Sequence, residues 1–476
     1  MELARVRTDV LRDRRKRLLA ALATDANAPE TFAIFAGLPR PKNYAANTYA
    51  YRSESHFLYL VGMHLPGAVL VCAGGQWTLY AEAQTPDDEL WHGPMPSLAR
   101  LGDALGALGR PLDTLSLPHA ATLPCSDAAS CATQASALGR AVSYGTLPTP
   151  GDVALAEAMI AVRLSHDGYA VQRMREAADA AREAHLRGMA VTEPGLREHA
   201  VRGAMEGIFL SRGMGTSYTP IVTTHGEVLH NHGYDHDMKA GDLLLADVGA
   251  ETEDGWASDI TRTWPVSGRF SSTQRAVYDI VLEANERGDP AHQARRALPH
   301  DLHDDRLPHP HRGPARSRHL RGDVEGLVER GAAALFFPHG LGHLLGLDVH
   351  DMEDLGDRAG YAKGRSPQHA SALLPAPGSR PRARAWRHHR ARLLRGARHP
   401  QGPRFTELVR QGRRSGGARA LRRRARHPHR GRRGGDRHRR RGAHQGHPQA
   451  PQRRRSRRRR VSRVPPVMID FGGSPL

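Results

Sequence analysis

Cysteine is scarce: Cys72, Cys125 and Cys131 are the only three in 476 residues. An odd, sparse set supplies neither a disulfide framework nor a paired-cysteine zinc motif, and it points to a reducing compartment. No apolar run approaches the roughly 18 residues that a membrane span requires. The first stretch, MELARVRTDVLRDRRKRLL, carries charge where a secretory signal has its apolar core. These absences predict a soluble, cytoplasmic protein. Lysine is nearly missing too. Only four of the 69 basic residues are lysine (Lys16, Lys42, Lys239, Lys363), and the rest are arginine.

Acid is missing from one end only. Residues 1–288 hold 26 basic and 34 acidic residues, a net of −8, as in an ordinary acidic enzyme. Residues 366–476 hold 32 arginines against 3 acids, a net of +29. The overall charge of +20 therefore belongs to the tail. A basic arm could bind nucleic acid or be a natural disordered extension. The tail's composition has a third explanation, given below, and no nucleic-acid partner is expected.

Three parts are expected: residues 1–150, 151–365 and 366–476. In the first, GAVLVCAGGQWTLYAEA reads as two strands joined at Gly74-Gly75, and LARLGDALGALG reads as a helix, giving an α/β domain. GTLPTPGD (145–152) reads as a linker. In the second part, DGYAVQRMREAADAAREAHLRGM predicts a helix with Val171, Met174, Ala178 and Ala181 on one face. TEPGLREHAVRGAMEGIFLSRG predicts another, opened by Thr192 as N-cap with Pro194 in its first turn. GDLLLADVGAETEDGWASDITRTWPV predicts a buried strand, a polar turn and a second strand ending at Pro265. SSTQRAVYDIVLEANERG predicts a third helix, after which periodicity fades from Gly288 to about Leu320. From Ser366 to Arg463 periodicity is lost again, and little packed structure is expected there.

The run FFPHGLGHLLGLDVHD (336–351) places His339, His343 and His350 among apolar residues and glycines. Imidazole is the commonest protein metal ligand. Spacing alone excludes a zincin, because Gly340 stands where that helix motif needs glutamate. Partners for the histidine come from elsewhere. Asp247 ends the apolar run LLLAD, an expensive place for an unpaired carboxylate. Asp259 begins the next predicted strand, so a hairpin would bring both acids to one face. Asp247, Asp259 and His343 make a coherent partial site for a hard divalent ion. The plainer alternative is a strand-end aspartate, an Asp259–Arg262 pair and a hydrogen-bonded histidine loop.

The motifs HGEVLHNHG, LLLADVGAE, SDITRTWPVSGRFSSTQRAVYDIVLEA and PHGLGHLLGLDVHD resemble aminopeptidase P of the pita-bread metallopeptidases, and YRSESHFLYLVG (51–62) resembles its N-terminal domain. The resemblance covers residues 1–288 and about 320–365. It implies an α/β N-terminal domain followed by an α+β pita-bread domain that releases the residue preceding proline from a peptide N-terminus. It implies two divalent metal ions, usually Mn²⁺. Asp247, Asp259 and His343 would be metal ligands, with Asp259 touching both ions. His230, His339 and His350 would line the substrate site and move protons. A homo-oligomer is compatible with it. Prolidase, which accepts only dipeptides, and a pita-bread scaffold that has lost its metals are the competing expectations.

Two further ligands in that family are glutamates downstream, in motifs such as T-I-E-P-G and R-I-E-D. Here residues 366–476 contain one glutamate, Glu407, in an unrelated setting. Arginine in place of lysine suggests a GC-rich gene, and such a gene read out of frame yields Arg, Pro, Ala, Gly and His. Moving HHRARLL (388–394) forward by one nucleotide permits T-I-E-P-G-F-Y. The same shift in RHPHRGRR (426–433) permits G-I-R-I-E-D-D, and in RGAHQGHPQAP (441–451) it permits E-V-L-T-K-D-I-P-K-R. Each match uses degenerate codon positions, but three occur in order and in one frame. Residues 366–463 are therefore read as the family's C-terminal region in the wrong frame. Residues 289–319 are read as a second slip.

Overall fold

The computed structural model describes residues 7–293 and 343–360. His339, most of 289–319 and all of 366–476 lie outside the described residues, as do the expectations attached to them.

The first part builds α1 (Thr8–Leu22), β1 (Thr31–Phe35), α2 (Ser55–Val61), β2 (Val69–Ala73), β3 (Gln76–Ala81), α3 (Pro86–His92), α4 (Leu98–Leu105), β4 (Leu108–Pro111), β5 (Ala121–Thr122) and α5 (Ala128–Leu138). The strands form one mixed sheet in the order β4-β3-β2-β1-β5. Its centre is a hairpin made by Gly74 and Gly75, both at positive φ (54° and 81°). A tight two-residue turn needs that conformation, and glycine adopts it without steric cost. Side chains alternate across the sheet as strand geometry requires. Phe32 and Ile34 pack with Leu70 and Leu79 against α1, α2 and the next helix. Ala33 and Phe35 pack with Val69 and Val71 toward Cys131 and Leu138 on α5.

The expected linker is shorter than its sequence suggests. Thr149 caps α6 (Pro150–Arg163) in a capping box with Asp152. Asp152 is buried and accepts the Thr122 N–H at 2.8 Å and Arg140 Nη2 at 2.7 Å, tying α6 to the sheet edge. Phe57 on α2 is fully buried in the core shared by α1, α2, the sheet and α6. Phe57→Ala should lower unfolding stability by about 3–5 kcal/mol. In urea titrations the midpoint should drop while the slope is kept; a midpoint unchanged from the parent would show that this core relaxes around the loss.

Two long helices follow, α7 (Gly168–Val191) and α8 (Glu198–Ser211). The expected helix over 168–191 is present, but its buried stripe is Ala177, Ala180, Ala181, Ala184 and Gly188; Val171 and Met174 are only half-buried. Small residues let α8 approach closely, with Val201, Met205 and Phe209 filling the seam. Thr192 is not an N-cap. It ends α7, donating to the Gly188 carbonyl at 2.7 Å and accepting Trp264 Nε1 at 3.0 Å. The first turn of α8 is satisfied by backbone instead, the Glu198 and His199 amides donating to the His236 and Tyr234 carbonyls.

The remaining elements are β6 (Gly215–Thr216), β7 (Ile221–Thr223), β8 (Leu243–Asp247), β9 (Ala250–Glu251), β10 (Thr261–Pro265) and α9 (Ser272–Gln293). They are followed by a 3₁₀ turn at Glu353–Leu355 and α10 (Asp357–Gly360). β8 lies between β10 and β7, antiparallel to both. The polar turn between β8 and β10 is partly structured, because β9 leaves it to pair with β6. Among the described residues, no helix is long and apolar enough to cross a membrane.

Candidate metal centre

β8 and β10 set the site. Their register pairs Thr261 with Asp247, so Asp259 sits two residues before the strand rather than in it. Asp259 is placed by the folded turn: Val248 N–H donates to the Ile260 carbonyl at 3.0 Å and Ser258 N–H to the Ala250 carbonyl at 2.9 Å. Gly249 lies against this crossing. A Cβ there would overlap the Ser258 carbonyl oxygen and Ser217 Oγ. Gly249→Ala should cost about 1–3 kcal/mol by overpacking and should shift the backbone leading into Asp259. Denaturant titration checks the stability, and a variant as stable as the parent would mean that the turn is not constrained there.

Asp247, Asp259, His343 and His350 come together. Tyr218 Oη donates between the two carboxylates, 2.5 Å from Asp247 Oδ1 and 2.9 Å from Asp259 Oδ1. His343 Nε2 lies 3.0 Å from Asp259 Oδ2. His343 Nδ1 donates to the Leu344 carbonyl at 2.9 Å, which leaves Nε2 as the atom aimed at the carboxylates. That second hydrogen bond is the usual device for fixing a metal-binding tautomer. The His350 ring stacks on His343 with centroids 3.9 Å apart, and its Nδ1 pairs with Glu353 Oε1 at 2.8 Å.

Burial and the Asp259 charge push the Asp247 carboxyl up to about 6. Burial also pushes Asp259 upward, but the hydrogen bond and charge of His343 outweigh it and hold Asp259 below the usual carboxylate range. His343 is raised for the same reason, its contact with Asp259 overcoming desolvation. Burial first, and then the two carboxylates, raise the Tyr218 phenol well above its ordinary value. The two buried carboxylates thus share one hydroxyl, and the imidazole balances the charge of Asp259.

Two carboxylates and an imidazole whose Nε2 faces one of them have the donor chemistry for a divalent ion of the Mn²⁺, Co²⁺ or Zn²⁺ kind. The set is short in number. Among the described residues no group of three or more His, Cys, Asp or Glu side chains is spaced to hold an ion; here the donors contact one another and Tyr218. His230 is exposed and faces His232 at 6.5 Å between centroids; no hydrogen bond, ion pair or ring contact among the described residues joins it to the carboxylates. Tyr218 is the member that sequence reading missed. It lies in GTSYTPIV, where nothing periodic marks a tyrosine as facing a site.

Comparison with known proteins agrees with this picture. The family model for the aminopeptidase P N-terminal domain matches residues 11–115, and that for metallopeptidase family M24 matches residues 172–371. A Xaa-Pro aminopeptidase of Escherichia coli is 30% identical over 345 residues, 68% of this chain and 78% of its own length. One of Haemophilus influenzae is 27% identical over 74% of this chain and 83% of its own. Among solved structures, proline aminopeptidase P II from Yersinia pestis superposes with a TM-score of 0.59 at 28% identity, covering 78% of this chain and 86% of that one. A zinc-substituted Escherichia coli aminopeptidase P in complex with product gives 0.57 at 26% identity, covering 72% and 81%. With both family models matched in this order and a Xaa-Pro aminopeptidase 30% identical over 68% of the chain, the chain belongs to the Xaa-Pro aminopeptidase family of M24 metallopeptidases, which are hydrolases.

Proposed function

We propose that this chain descends from a two-metal Xaa-Pro aminopeptidase whose last two ligands are lost to a reading-frame change. The observation that carries the reading is the chain of contacts Asp247–Tyr218–Asp259–His343, a buried acidic pair with one imidazole aimed at it. Asp247, Asp259 and His343 would hold the metal, Mn²⁺ being suited to an oxygen-rich set. Bound divalent ions acidify water and stabilise the charge that develops on a peptide carbonyl. Tyr218 holds the two carboxylates in register. His350, whose Nδ1 is tied to Glu353, presents Nε2 for the peptide and its proton. His230 and His339 would act on the substrate, as the family resemblance implies. The substrate is a cytoplasmic peptide with proline second, and a homo-oligomer is compatible with the family.

The competing dipeptidase reading differs in substrate length alone. Frame-restored protein should release the first residue of Xaa-Pro-Yaa tripeptides. Cleavage of Xaa-Pro dipeptides only would assign it to the prolidases instead. Failure on both, with the frame restored, would favour a binding scaffold.

A further inference from the structure

The loop carrying His343 and His350 is not held by the catalytic domain alone. Arg52, in the N-terminal motif YRSESHF, donates from Nη2 to the Leu347 carbonyl at 2.6 Å and lies 3.2 Å from Asp348 Oδ1. Its Nε pairs with Glu251 on β9. Ser55 Oγ donates to the same Asp348 oxygen at 2.7 Å. Arg163, buried at the end of α6, donates from Nη2 to Asp351 Oδ1 at 2.6 Å and from Nη1 to His56 Nδ1 at 2.8 Å. A guanidinium only donates, so His56 Nδ1 accepts and its Nε2–H donates to Asp354 Oδ2 at 2.9 Å. His166 Nε2 donates to the Leu345 carbonyl at 2.9 Å.

The loop needs such support. His350 and Met352 are non-glycine residues at positive φ, 64° and 60°. That backbone persists only where the surroundings over-determine it. Inside the loop, Asp351 N–H donates to the Leu344 carbonyl at 2.9 Å and Asp348 N–H to Asp351 Oδ1 at 3.1 Å. The carboxylate that closes the loop is thus the one that Arg163 grips. A buried ion pair is weak evidence for stability, since apolar residues of like volume often pack as well. Here the charges grip backbone and carboxylates on one short loop, which is what fixing a geometry requires.

We propose that Arg52, His56 and Arg163 are positioning residues for His343 and His350, so that the N-terminal domain, through Arg52 and His56, helps to fix the catalytic centre. The inference rests on the metallopeptidase reading only where it gives His343 a metal to hold. The full 476-residue chain serves for the test, by amide hydrogen exchange and by Mn²⁺ titration followed through the free-ion EPR signal. Arg52→Ala should speed exchange of the Gly346, Asp348 and Asp351 amides roughly tenfold while leaving the β8 and β10 amides as in the parent. It should also weaken Mn²⁺ binding by roughly ten- to a hundredfold, the usual cost of losing support behind a ligand. Arg52→Lys keeps the charge without the forked reach and should recover part of both effects. His56→Gln should loosen the same amides. Loop exchange equal to the parent's in both Arg52→Ala and His56→Gln would overturn the proposal. So would a loosened loop with unchanged Mn²⁺ affinity, since His343 would then need no positioning. A parent chain that takes up no Mn²⁺ fits a centre short of its last two ligands, and the exchange comparison then decides the clamp by itself.

Discussion

Returned to a single reading frame, the gene should yield a protein that keeps two divalent ions per chain after desalting and cleaves Xaa-Pro-Yaa peptides; the 476-residue chain should keep fewer than two and cleave essentially none. The chain as it stands offers two carboxylates and one imidazole at the centre. Two dications a few ångström apart repel strongly, and shared carboxylates offset that repulsion. Downstream of residue 365 the only glutamate is Glu407, inside RFTELVR. One weakly held ion is then the most the site can keep. Charge stabilisation by metal is worth several kcal/mol, so losing an ion together with its ligands should lower turnover by on the order of a thousandfold or more. Elemental analysis and an assay of the released N-terminal amino acid measure both halves. Two tightly bound Mn²⁺ ions and proline-specific turnover in the 476-residue chain would sink the frame argument. A resequenced gene with no insertion or deletion near codons 289, 320 and 366 would do the same.

The parts of the fold legible from sequence were those where local chemistry and tertiary packing agree. Gly74-Gly75 permits one turn, and β2 and β3 form around it. LLLAD is apolar until its last residue, and β8 is that strand. The failures are equally local. TEPG looks like a helix start, but Gly195 at φ 95° breaks the chain there, and α8 is capped by backbone carbonyls of residues 234–236, distant in sequence. Weighting by hydrophobicity favoured Val171 and Met174 on α7, whereas close approach to α8 selects alanine and glycine, which such weighting undervalues. T-P-G-D at 149–152 has the composition of a linker, but its Thr149 and Asp152 form a capping box with proline in the first turn of α6.

At the centre, the carboxylates were legible because acids at strand ends beside apolar runs are costly without a partner. Asp247, Asp259, His343 and His350 do converge, whereas His230 stands apart and His339 lies outside the described residues. Tyr218 and the Arg52–His56–Arg163 clamp were not legible. Their partners are far away in sequence, and a tyrosine or arginine in a mixed segment carries no periodic mark of what it faces. The motif YRSESHF carries a family likeness in sequence; only the fold shows that its arginine and histidine contact the loop that carries His343.

Asp259→Asn in the frame-restored protein should be the most damaging single substitution at this centre. Asp259 meets Tyr218 through one oxygen and His343 through the other, beside Asp247, so it links the other carboxylate, the phenol and the imidazole. Asparagine keeps the shape and one acceptor oxygen but removes the charge and turns the other position into a donor. The amide would face either the His343 nitrogen or the Tyr218 hydroxyl with the wrong polarity, and the cation would lose the carboxylate expected to touch both ions. We expect at most one ion per chain and a fall in kcat/KM on the order of a thousandfold or more. Tyr218→Phe should be milder, roughly ten- to a hundredfold in metal affinity, because it removes the support of the carboxylates and leaves the ligands themselves in place. Metal content by elemental analysis, read beside kcat/KM on one tripeptide, orders the two variants. If Asp259→Asn kept both ions and activity within tenfold of the parent, Asp259 would be a structural partner of His343, and the metal centre would have to be sought elsewhere.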